Sequence, residues 1–156
     1  MPDALAYDRV ALRHDGAAHD TVGPVSLALR EGERVLLLGA SGVGKSTLIH
    51  AATGLFPASI PGVRTGAIRL WGRGVEERTP ADWADSCGFL FQDAAQTLAG
   101  FTVRDEIAFG PENRGVAGPE IRGLVDDAMA RAGIPLSWAE RRITTLSGGE
   151  RQSVAL

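Results

Sequence analysis

The chain has 156 residues, a net charge of −3 and a pI near 5.6, with 44% hydrophobic and 22% charged residues. That balance belongs to a globular domain able to bury a real core, and it excludes a disordered or fibrous chain. Without a basic excess, general binding to nucleic acid is not favoured, and a lone cysteine, Cys87, rules out an internal disulfide framework.

The N-terminal Met1-Pro2-Asp3-Ala4 lacks the basic and apolar regions of a secretory leader. No apolar run reaches the roughly 18 residues of a membrane span. Any membrane role is therefore expected to be exercised from outside the bilayer, through partners. Leu5 to Leu12 alternates loosely and is predicted as a strand, followed by a turn at His14-Asp15-Gly16. Val25 to Leu29 reads as a second strand and Glu31-Gly32-Glu33 as a turn. Val35-Leu36-Leu37-Leu38 is continuously apolar, the pattern of a parallel strand buried on both faces. A glycine-rich loop follows, then a predicted helix from Lys45 with Gly54 as its stop. Gly66 to Leu70 is a further strand and Cys87 to Phe91 a second buried one, with Cys87 as a small core residue. From Thr102 onward the pattern is mostly helical. Ile121, Leu124, Val125, Ala128, Met129 and Ala132 share one helical face, Pro119 suits a first helical position, and Gly133 with Pro135 ends the helix. Tyr7, Trp71, Trp83 and Trp138 are assigned to packing.

The glycine-rich loop carries the chemistry. Gly39-Ala40-Ser41-Gly42-Val43-Gly44-Lys45-Ser46, continuing into Thr47, fits G-x-x-x-x-G-K-[ST]. Gly39, Gly42 and Gly44 let the backbone curl so that successive amides point at phosphate oxygens, and side chains there would crowd the ligand. The helix that follows presents its positive end to an anion. Lys45 is placed to reach the β- and γ-phosphates, and Ser46 to ligate Mg²⁺. The loop follows an apolar strand and opens a helix, as that mechanism requires.

Such a loop alone allows kinases, GTPases, helicases and transporters. Leu146-Ser147-Gly148-Gly149-Glu150-Arg151-Gln152 narrows the field. Ser147 can cap a helix whose first amides Gly148 and Gly149 leave uncovered. The segment closely resembles the signature of ATP-binding cassette (ABC) proteins, usually Leu-Ser-Gly-Gly-Gln, with Glu150 in place of Gln. The resemblance implies that Ser147, Gly148 and Gly149 bind the γ-phosphate of an ATP held by a second ABC ATPase domain. That domain would come from a like subunit, an unlike one or a tandem fusion, in a head-to-tail dimer. Phe91-Gln92-Asp93 resembles the Q-loop, which implies that Gln92 binds Mg²⁺ and the attacking water. Lys45 and Gln92 are then the catalytic candidates. Register places His14 where the family usually has a Tyr that stacks on adenine.

Gly88-Phe89-Leu90-Phe91-Gln92-Asp93 and the stretch from Thr102 to Asn113 look like the energy-coupling factor (ECF) importers, although Ala94 stands where those often carry Pro. Gly54-Leu55-Phe56-Pro57 with Ile60-Pro61-Gly62 agrees. This resemblance implies import of a vitamin, a vitamin precursor or a metal ion through a transmembrane subunit, driven from the cytoplasmic face. The expected fold is α/β, a P-loop NTPase of ABC type with a parallel core sheet, an antiparallel β-subdomain and a helical subdomain. Residues 1–100 form the nucleotide-binding core with the β-subdomain, 101–145 the helical subdomain and 146–156 the signature with the start of its helix. Family members continue past the position of Leu156 into a Walker B strand ending in Asp and Glu, and a later His. The fold is therefore expected to be incomplete at the C-terminus, with apolar surface exposed on the P-loop strand and weak or absent hydrolysis by the chain alone. A soluble ABC protein outside transport and a non-hydrolytic nucleotide-binding fragment are the alternatives.

Overall fold

The computed structural model describes residues 3–156, so Met1 and Pro2 of the N-terminal stretch read above lie outside it. The chain divides into two compact units, one up to Phe89 and one from Leu90 onward. The first is built on an antiparallel sheet of order β2-β1-β3-β4, with β1 Leu5–His14, β2 Val22–Leu29, β3 Gly62–Leu70 and β4 Arg73–Gly74. Strand β1 pairs with both β2 and β3, and its register slips around Asp8 and Arg9. The extra residue at this bulge shifts the inward parity from Tyr7 to Val10 and Leu12, which explains why the alternation there was only loose.

Helix α1, Lys45–Ala52, packs on this sheet through Leu48, Ala51 and Ala52. The Tyr7 hydroxyl donates to the Leu48 carbonyl at 3.0 Å, tying strand to helix, and burial raises its pKa above the usual phenol range. Gly54, at φ 74°, ends this stretch as predicted, and the short α2, Leu55–Ala58, follows. Phe56 from α2, with Ile68, Val75 and Trp83, completes the core. Trp83 lies at the end of α3, Pro80–Trp83, and its indole N–H donates to the Val75 carbonyl at 2.9 Å. Cys87 packs at the edge of this core, whereas Trp71 stays 45% exposed rather than packed.

Among the described residues every ladder is antiparallel, so the parallel core sheet is not observed. Neither Val35–Leu38 nor Cys87–Phe91 forms a strand. A two-sided buried strand requires neighbours, and neither run has a ladder partner. Leu36 and Leu38 are 79% and 78% exposed. The second unit holds α4 Val103–Asn113, α5 Gly118–Arg131 and α6 Gly148–Ala155 around Val103, Val125, Met129, Ile143 and Leu146. Pro119 falls in the first turn of α5, and the buried face is narrower than its sequence stripe. Val125 and Met129 are fully buried, while Leu124 and Ala132 face solvent. Arg104 braces this unit with bonds to Glu140 at 2.9 Å and Asp126 at 3.4 Å.

Candidate functional site

In the first unit the loop from Gly39 to Gly44 leads directly into α1. Gly42 and Gly44 have φ of 81° and 90°, in the left-handed region that glycine enters without steric cost. A Cβ on Gly44 would lie 2.3 Å from Val22 Cγ2 and 2.9 Å from the Thr21 carbonyl oxygen, so the end of the loop rests on the start of β2. Lys45 Nζ donates to the carbonyls of Gly39 and Ala40 at 2.8 and 2.7 Å, which lays the ammonium across the loop.

The start of α1 differs from those of the other long helices. Helices α3, α4 and α6 open with Thr79, Thr102 and Ser147, each accepting from the amide of an acidic residue three positions on. These are capping boxes, which satisfy the first amides from within the chain. Among the described helices of eight or more residues, α1 alone has neither a side-chain cap nor an acid in its first turn. Its uncompensated positive end, edged by an ammonium, fits an anion such as a polyphosphate. Ser46 in that turn is exposed and Thr47 is buried. The half-buried His14, at the end of β1, reaches the same turn. Its Nε2 lies 3.1 Å from Thr47 Oγ1 and its ring meets Phe56 edge-on at 5.4 Å.

In the second unit Ser147, Gly148 and Gly149 open α6 with exposed backbone. A Cβ at either glycine would meet nothing within 4 Å, so among the described residues no packing calls for glycine there. Glu150 is held from two sides. Its Oε2 accepts the Ser147 amide at 2.7 Å and its Oε1 accepts Arg141 Nη1 at 2.8 Å. The Arg141 guanidinium, followed by the Ser147 amide and hydroxyl, pulls the Glu150 carboxyl down to about 2. Gln92 sits in an exposed turn and shares with Gln152 of α6 the lining of a cavity of about 210 Å³.

The candidates thus fall into two groups: His14, Gly39, Ala40, Lys45 and Thr47 at the start of α1, and Gln92 with the opening of α6. Arg141 and Gln152 were missed by the sequence reading. Gln152 stood in the quoted motif but had no assigned partner. Arg141 is one of two adjacent arginines that nothing local distinguishes.

A family model described as ABC transporter matches residues 22–156. The chain is 38% identical over 97% of its length to a putative ABC transporter ATP-binding protein of Streptomyces avermitilis, of which it covers 27%. It is 36% identical over its whole length to the energy-coupling factor transporter ATP-binding protein EcfA1 of Lacticaseibacillus paracasei, covering 54% of that protein. It is 34% identical to the putative HMP/thiamine import ATP-binding protein YkoD of Bacillus subtilis, over 99% of this chain and 28% of that one. The chain therefore spans between about a quarter and a half of these relatives. Among solved structures, cbiO1 from Clostridium perfringens, part of the cbiONQ transporter complex, superposes with a TM-score of 0.83 at 25% identity, over 99% of this chain and 60% of that one. The ATP-binding cassette MJ0796, a dimer with ADP and Pi bound, superposes with a TM-score of 0.77 at 21% identity, over 97% of this chain and 66% of that one, which bears on fold alone.

Proposed function

Since the chain belongs to the ABC transporter family, we propose that it supplies the ATP-binding part of an importer working at the cytoplasmic face of a membrane. The uncapped start of α1 with Lys45 laid across the preceding loop carries this reading. The amides from Gly39 to Thr47 would hold the β- and γ-phosphates, and Lys45 would release its two carbonyls to meet them. Ser46 would ligate Mg²⁺. His14 would meet the adenine end from its place beside Thr47. Ser147, Gly148 and Gly149 would contact the γ-phosphate of an ATP bound to a second ABC ATPase domain. Gln92 would contribute to Mg²⁺ and to the attacking water, with hydrolysis belonging to the assembled pair of domains. The cargo would be a vitamin, a vitamin precursor or a metal ion, and the relative named for HMP/thiamine import supports the vitamin class.

A transmembrane subunit would engage the second unit. Phe101, 86% exposed, lines with Gly100, Thr102, Arg142 and Thr144 a cavity of about 650 Å³. An apolar ring at its rim suits the side chains of a docking helix.

Lys45→Ala tests the phosphate reading. Loss of one charge-assisted contact is expected to weaken Mg²⁺-ATP binding by about 10–100-fold, measured by calorimetry. Equal binding by both proteins would overturn it.

A further inference from the structure

An acidic residue in the first turn of α6 poses an electrostatic problem. Glu150 helps to cap its own helix, yet its charge lies at the end whose amides are to attract phosphate. Both carboxylate oxygens are engaged, Oε2 by the Ser147 amide and Oε1 by Arg141 Nη1. The ion pair is partly sheltered, with 34% of the Arg141 side chain and 26% of the Glu150 side chain exposed. Arg141 is itself held in place. Its guanidinium lies 4.7 Å from the Trp138 ring centroid, its amide donates to the Trp138 carbonyl at 2.8 Å, and its carbonyl accepts from the Val103 amide at 3.0 Å.

We propose that Arg141 is a positioning residue for the turn from Ser147 to Gly149, holding the Glu150 carboxylate against the Ser147 amide so that it does not swing onto the other amides opening α6 and compete there with a phosphate anion. The inference rests on reading that turn as a phosphate-contacting one. Arginine suits the task because its planar guanidinium can stack on an indole face while donating in plane to a carboxylate. Glutamine at position 150 would still complete the capping box but would carry no charge. The need for Arg141 should therefore vanish when Glu150 becomes Gln.

The test is a double-mutant cycle on the full-length protein assembled with its transporter partners, reading the MgATP concentration that half-saturates hydrolysis. Arg141→Ala is expected to raise that concentration about tenfold, the effect of a released carboxylate competing with phosphate for the same amides. The increase should shrink in high salt. In the Glu150→Gln background the same substitution should change it less than about threefold, what remains being the screened field of the arginine's own charge, and Arg141→Lys should retain most of the wild-type value. A silent Arg141→Ala, or one equally harmful in both backgrounds, overturns the proposal, the second result marking a purely structural arginine. Gly149→Asp separates the two levels. If it leaves hydrolysis intact, the phosphate-contacting turn itself is wrong; if it abolishes hydrolysis while Arg141→Ala is silent, only the role of Arg141 fails.

Discussion

Gly44 meets two constraints at once, a φ of 90° and a Cβ position already filled by Val22 and Thr21. Gly44→Ala is therefore expected to cost about 2–4 kcal/mol in urea unfolding, from left-handed strain plus overpacking. A cost under about 0.5 kcal/mol, typical of a free surface site, would contradict that geometry. The sequence motif identified this glycine through phosphate chemistry, and the structure adds a packing reason that no local pattern contains, because Val22 is distant in the chain. His14 shows the same limit. Register alone brought it to an adenine position, whereas its bond to Thr47 and its edge contact with Phe56 depend on how β1 meets α1. Tyr7 was correctly read as strand packing, but its hydroxyl bond to Leu48 was not foreseeable from periodicity.

Helices were the more legible elements, because their start and stop signals are local. Thr102, Ser147, Gly54 and Gly133 all mark boundaries that the structure keeps. Strands were less legible, because a ladder needs a partner that a short apolar run cannot announce. Val35–Leu38 and Cys87–Phe91 carry the residues of buried strands and form none among the described residues. The cap of α6 makes a prediction at this scale. Glu150 in the folded chain titrates near 2, below its ordinary value of 4.5. Its contribution is complete above that ordinary value and is lost as pH falls through the lower one. Protection of the amides in the first turn of α6, relative to their intrinsic exchange rates at each pH, should fall across that acid window, and Glu150→Gln should remove this titration step. Protection that stays flat through the window in the unmodified chain would count against the assignment.

At the scale of the whole molecule, two cores stand side by side in the sequence, one around Phe56, Ile68 and Trp83 and one around Val103, Val125 and Met129. Chain order anticipated a strand-rich part followed by a helical one. The proposed docking surface for a membrane partner lies in the stretch from Gln92 to Phe109 that the family resemblance points to, and the exposure of Phe101 supports it. Phe101→Asp changes an 86% exposed side chain, so its effect on stability should stay within about 0.5 kcal/mol. In the assembled transporter it should abolish cargo uptake in vesicles while ATP binding persists, and normal uptake would reject this docking surface. The stacked Trp138 has a spectroscopic consequence. Trp71 and Trp83 belong to the first unit, so replacing both with Phe leaves one indole, lying against the guanidinium that grips Glu150. Its emission becomes an optical gauge of that grip, able to follow in real time whether the turn tightens when nucleotide arrives.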